Sequence, residues 1–213
     1  ANTVFSSGGF WLQQIVIGWL TYELTQSAFL TTLAMGLDLL PILFIGPLGG
    51  LLVDSWAPRK LMAVVYAYQG SLTVAFGMLV ITERAGALHI FGYVLLMGLG
   101  WVILDPSRIS LISNTVPKES LMNAFALMAL GISVARLVGP AIGGAIIALT
   151  GPGPVLFVEA GLQFAALFST LAIKMPTVDR PPLRLRATLD RLLEGALYIR
   201  SQPIIWSLIL LSV

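Results

Sequence analysis

Residues 119–149 read ESLMNAFALMALGISVARLVGPAIGGAIIAL. From Ser120 to Ala148 the only charge is Arg136, and the tract is longer than the ~20 residues an α-helix needs to cross the hydrocarbon core of a bilayer. Strands of a membrane β-barrel would be ~10 residues long with strict alternation, and this stretch shows neither feature. The same reading repeats along the chain. Residues 1–22 carry no charge, and Asp38 is the only one between Glu23 and Asp54. Uncharged tracts run from Lys60 to Glu83 and from Arg84 to Asp105, and Glu159 is the only charge between Val155 and Ile173. Breaker clusters separate the tracts, among them Ser55-Trp56-Ala57-Pro58, Arg84-Ala85-Gly86 and Gly151-Pro152-Gly153-Pro154. Six spanning helices are expected, at about 4–24, 28–53, 60–82, 87–113, 119–149 and 154–173. The first tract lacks the basic start of a cleaved signal peptide and is read as the first span.

Composition agrees. Of 213 residues, 57% are hydrophobic and 10% charged, against ~25% charged in a soluble domain. Mean hydropathy is +0.93. So apolar a chain cannot coat a globule in water, which excludes a cytosolic enzyme, and it is too apolar to be disordered. The absence of cysteine excludes a disulfide-stapled domain and a thiol–metal protein, and one histidine cannot build a zinc site. No phosphate-loop motif is present, so direct ATP drive is not expected, and no cofactor is implied.

The isoelectric point near 9.2 suggests nucleic acid until the basic residues are placed. With the start of helix 1 inside, the inner loops hold Arg59, Lys60, Lys118, Lys174, Arg180, Arg184, Arg186, Arg191 and Arg200, and the outer loops only Arg84. Arg108 and Arg136 lie within spans. The bias is a topology signal and not a nucleic-acid footprint. Three regions are expected: a six-helix transmembrane bundle over 1–174, a cytoplasmic linker with an amphipathic helix over 175–202, and the start of a seventh span over 203–213. On this reading the chain is one half of a larger transporter, and the C-terminal half of that protein is its partner.

Two motifs carry a resemblance. Gly50-Leu51-Leu52-Val53-Asp54-Ser55-Trp56-Ala57-Pro58-Arg59-Lys60 resembles the loop 2–3 signature of the major facilitator superfamily, departing from it at Ser55, usually basic, and Ala57, usually glycine. Gly49 and Gly50 allow helices to approach closely. Asp54 can accept from helix N-termini while pairing a cation, and Arg59 and Lys60 keep the loop inside. Arg136-Leu137-Val138-Gly139-Pro140-Ala141-Ile142-Gly143-Gly144 resembles the antiporter signature of proton-coupled drug exporters. There Gly139, Pro140, Gly143 and Gly144 would bend and pack the helix as a gate between two halves. With Trp11-Leu12-Gln13-Gln14, Leu104-Asp105-Pro106-Ser107-Arg108 and Val116-Pro117-Lys118-Glu119-Ser120, the chain is similar over nearly its whole length to the branch containing enterobactin exporters and macrolide-efflux proteins. The resemblance implies an all-α fold of 3+3 inverted repeats, set in a bacterial cytoplasmic membrane. It also implies proton-coupled export of an apolar or amphipathic small molecule by alternating access. An importer or lipid flippase of the same fold, and a scaffold or sensor that does not transport, are the rival readings.

Charges in mid-span are expensive, about 2.5–3.5 kcal/mol each at a helix centre by insertion scales, so they are functional candidates. Asp38, Asp105, Arg108, Arg136 and Glu159 are the candidates for proton coupling and the substrate cavity. Burial favours the neutral form of an acid, which suits reversible proton binding. Asp38 is the first such candidate, with Arg136 or Arg108 sensing its charge; a water-exposed place in the outer vestibule is the other reading. Asp105 and Arg108, three residues apart on one helix face, can instead neutralise each other. Glu159 is expected near the outer end of helix 6, within reach of water. His89, the only histidine, and the tryptophans Trp11, Trp19, Trp56 and Trp101 are read partly as interfacial.

Overall fold

A computed structural model describes residues 2–173. The expected linker, amphipathic helix and seventh span all lie outside the described residues. Within them the fold is helical, with no strand. The helices are α1 (Asn2–Thr25), α2 (Ala28–Gly36), α3 (Leu39–Ser55), α4 (Pro58–Ile81), α5 (Ala87–Thr115), α6 (Leu121–Thr150) and α7 (Pro152–Leu171), with a short 3-10 turn at Lys118–Ser120 leading into α6.

Local chemistry explains the boundaries. Ser27 Oγ accepts from the Leu30 N–H at 3.3 Å and caps α2. Pro58 opens α4 at a position where its missing N–H costs nothing. His89 Nδ1 accepts from the Gly86 N–H at 3.1 Å, so the single histidine closes the start of α5. Gly151 adopts φ +85°, a region closed to most side chains, and this lets α6 pass straight into α7.

The second expected span is not one helix. It breaks at Leu37–Asp38 between α2 and α3. Pro41 supplies the reason: it has no N–H for the Leu37 carbonyl, and its ring crowds that oxygen. The Leu40 N–H reaches the carbonyl instead, at 3.2 Å. The two pieces still form one apolar stretch, so Ala28–Pro47 counts among five segments long and apolar enough to cross a membrane. The others are Pro58–Ile81, Ala87–Thr115, Lys118–Thr150 and Pro152–Leu171. Six spans were expected. The 24-residue α1 is missing from this set because it carries a polar face, with Ser6, Ser7, Gln13 and Thr21 all buried in the bundle.

Packing places α1 at the centre, against α6 on one side and α7 on the other, while α4 lies on α7 and α5, and α3 on α5. Two apolar clusters fill the interior. One joins Leu12, Val16, Ile17 and Leu20 of α1 to Phe76, Tyr93, Met97 and Leu156. The other groups Met62, Val65 and Tyr66 with Trp101, Leu104, Leu111 and Ala166. Trp101 is therefore core and not an interfacial anchor, whereas Trp19 and Trp56 are each 53% exposed. Outward-facing Leu88, Leu149, Leu137 and Phe44 give the bundle an apolar exterior suited to lipid.

The tightest approach is between α3 and α5. A Cβ on Gly49 would collide with the backbone oxygen of Val102, and one on Gly98 would lie 2.5 Å from the Asp38 oxygen. Gly50, expected to share this role, has open space around it. Gly49→Ala should therefore destabilise the protein by about 1–3 kcal/mol, the cost of overpacking. Gly50→Ala should change stability by less than ~0.5 kcal/mol. Thermal unfolding of both variants in detergent checks the contrast.

Candidate functional site

Breaking the second span at Asp38 puts a carboxylate where the chain turns, beside the α5 backbone at Gly98. The residue is 5% exposed. Its side chain makes no helix cap; Oδ2 accepts from Gln14 Nε2 of α1 at 3.2 Å. Among the described residues no cation lies within ion-pair distance of it. The expected partners Arg108 and Arg136 are engaged elsewhere. The reason is geometric: Asp38 leaves a helix break, while both arginines are held by neighbours on α1.

Arg108 on α5 is 6% exposed. Its Nη1 stands 3.6 Å from Asp105 Oδ1, one turn earlier, and its Nη2 donates to Ser6 Oγ of α1 at 3.0 Å. Asp105 is exposed, so the pair runs from the interior out to the open side. Arg136 on α6 is exposed and lies over the Trp11 ring, 5.1 Å from its centroid. A guanidinium on an indole face gains about 0.5–2 kcal/mol, which anchors α6 to α1 at this level.

These groups meet around one cavity of about 250 Å³. Asp38, Asp105 and Arg108 line it with Ser7, Phe10, Trp11 and Trp101, and Leu39, Ile42 and Ile132 complete the wall. The aromatic rings are ordered: Phe10 sits edge-on to Trp11 at 5.3 Å and to Trp101 at 5.1 Å. The volume falls below the 300–1,000 Å³ of pockets that enclose a drug-sized ligand. The wall is thus mostly apolar and aromatic, with a few convergent charges. Four of the five candidate charges thus gather here, Arg136 through its contact with Trp11. Glu159 does not. It is wholly buried in the bundle, away from this cavity, and the expected contact with water is overturned by the packing of α7 on α1 and α4.

The two signature motifs divide their glycines. Gly139 and Gly143 of α6 face α1, where a Cβ would stand 2.8 Å from Trp11 Cβ and 2.6 Å from Ile15 Cγ2. Gly144 faces open space. Pro140 lies inside α6, and the helix continues through it to Thr150. At the other motif, the side chain of Asp54 lies outside the described residues. Arg59 Nη2 donates to the Leu171 carbonyl at the end of α7, where a cation is favoured by the helix dipole. Lys60 is exposed.

Ser6 and Gln14 escaped notice as site residues. Their signal was present: Ser6 and Gln13, Ser7 and Gln14, and Gln14 and Thr21 are each seven residues apart, two helical turns, which marks one polar stripe. Ser6→Ala should cost about 1.5–3 kcal/mol by removing an acceptor from a buried guanidinium. Chemical or thermal unfolding against wild type in detergent measures it.

A family model described as transmembrane secretion effector matches residues 1–210. No curated protein gives a match to the chain.

Proposed function

The chain belongs to the transmembrane secretion effectors of the major facilitator type and is a multi-pass membrane transporter, and on that footing we propose that it exports an apolar or amphipathic small molecule in exchange for protons. Its site would be the bacterial cytoplasmic membrane, and its bundle would alternate against a second one that completes the cavity. The observation that carries the reading is Asp38, a buried carboxylate at a helix break, bonded to Gln14 and facing Trp11 and Trp101, with no cation among the described residues within ion-pair distance of it. Many secondary transporters place substrate and coupling ions at broken helices.

The chemistry follows from charge. An ionised Asp38 in an aromatic cavity gains from anything that neutralises it, and a proton does so at the least volume. A proton shifts a conformational equilibrium only through its different affinity for the two states. A tenfold difference is worth about 1.4 kcal/mol, so a hundredfold difference is enough to bias the cycle. Arg108, fixed by Asp105 and Ser6, supplies a constant positive field at the cavity's edge, and the rings supply a surface for the apolar part of the cargo.

Asp38→Asn replaces the acid by a neutral amide that mimics its protonated form. In liposomes holding the full-length protein, efflux of a lipophilic dye such as ethidium driven by a pH gradient should fall at least tenfold. Counterflow of the same dye, which needs no net proton movement, should persist. Gradient-driven efflux at the wild-type rate would remove Asp38 from the mechanism.

A further inference from the structure

Glu159 lies outside the cavity and has a chemistry of its own. It is 0% exposed, on α7, the eighth residue of that helix. Its Oε1 meets Tyr93 Oη of α5 at 3.2 Å and Thr73 Oγ1 of α4 at 3.4 Å, and those two hydroxyls stand 2.9 Å apart. Three oxygens from three helices thus form a closed triangle. Two hydroxyls bring two hydrogens, which bond two of the three contacts and leave the 3.4 Å side without one when the carboxyl is ionised. A protonated carboxyl supplies a third hydrogen. Its Oε2 is buried and has no partner. Gln163 sits one turn along the same helix, and its amide oxygen and amide nitrogen are both buried and unpartnered, an open acceptor and an open donor beside the carboxyl. A Cβ on Gly9 of α1 would touch both Gln163 Nε2 and Glu159 Cγ, so the two side chains lie in one groove. Gln13, one turn further along α1, carries another unpartnered amide oxygen.

No positive charge faces this group among the described residues. On α4 the cations Arg59 and Lys60 lie at the inner end, and Arg59 is bound to the far terminus of α7. On α5 the titratable neighbour is Tyr93 itself; His89 is exposed and occupied at Gly86, and Arg108 belongs to the cavity. On α6 Arg136 rests on Trp11, and α1 has only Glu23, exposed at its outer end. Phe76 stacks on Tyr93 with centroids 4.3 Å apart and roofs the cluster with an apolar ring. An ionised carboxylate here would be a buried charge with two hydroxyl contacts and no counter-ion, which a packed interior does not sustain.

We propose that Glu159 is a second, occluded proton-binding site of the bundle, separate from the Asp38 cavity. It holds one proton as a neutral acid that completes the Thr73–Tyr93–Glu159 triangle and ties α4, α5 and α7 together. Releasing that proton requires the seam between these helices to open. Proton release at Glu159 and movement of α7 against α4 and α5 are therefore one event. The inference stands whether or not Asp38 couples transport.

The test is infrared spectroscopy of the full-length protein in lipid nanodiscs at neutral pH, in H₂O and D₂O. Wild type should show the carbonyl stretch of a protonated carboxylic acid that is absent in Glu159→Gln and retained in Asp38→Asn. Tyr93→Phe, which removes a hydrogen-bonding partner of Oε1, should shift that band without abolishing it. Thermal unfolding gives an independent reading. An acid buried in its neutral form contributes stability at low pH and loses it as pH rises. Wild type should thus lose Tm more steeply than Glu159→Gln as pH rises from about 5 through neutrality, above the pKa of the acid in the unfolded chain. Loss of a carboxylate band, and not an acid band, in Glu159→Gln would overturn the proposal. So would an unmoved band in Tyr93→Phe, or a Tm that responds to sodium at fixed pH in wild type but not in Glu159→Gln.

Discussion

In lipid, the polar side chains of α1 can find partners only within the bundle, since no water is at hand in the hydrocarbon to take their hydrogen bonds. The rest of the bundle is arranged around that demand. Asn2 donates to the Ala166 carbonyl and to Thr170 of α7, and its Oδ1 accepts from Tyr66 of α4. Ser6 takes the Arg108 guanidinium of α5, and Gln14 takes Asp38 at the break in the second span. A single helix thus reaches α4, α5, α7 and the α2–α3 turn through hydrogen bonds. It is also the helix least able to pass as a membrane span on its apolar content, for the same reason.

Between apolar helices in a bilayer there is no hydrophobic driving force, so close van der Waals contact and polar bonds must hold them together. Glycine supplies the first. Gly49 and Gly98 let α3 and α5 touch through their backbones, and Gly139 and Gly143 let α6 settle on Trp11 and Ile15. The glycines of each motif that face outward, Gly50 and Gly144, meet nothing within the bundle. Their open surroundings leave those faces free for elements beyond the described residues, while their neighbours one position away do the packing.

The acids sort by what surrounds them. Asp105 is exposed and paired, Asp38 is buried in a cavity with a neutral donor, and Glu159 is enclosed among hydroxyls and amides. Along the chain Asp38 and Glu159 looked alike, as single charges in apolar tracts, while Asp105 already had Arg108 one turn away. Their difference lies in whether a cation, a cavity or a sealed seam stands opposite, and each case asks something different of a proton.

Much was legible in the residues alone. The medium, the helical class and the approximate helix boundaries all follow from local composition, because burying backbone and charge in lipid is costly wherever it occurs. The motifs also marked α6 as a close-packing helix before its partner was known. The break at Leu37–Asp38 was half legible, through Pro41, but a proline in a membrane helix does not by itself say whether the ladder bends or stops. Which glycine of each pair packs, which arginine pairs with which acid, and that Glu159 is sealed from water were decided only when the helices were assembled. Spacing along one helix fixes a face, but the identity of what that face meets depends on the rotation and crossing of a second helix far away in sequence, and no local pattern encodes it.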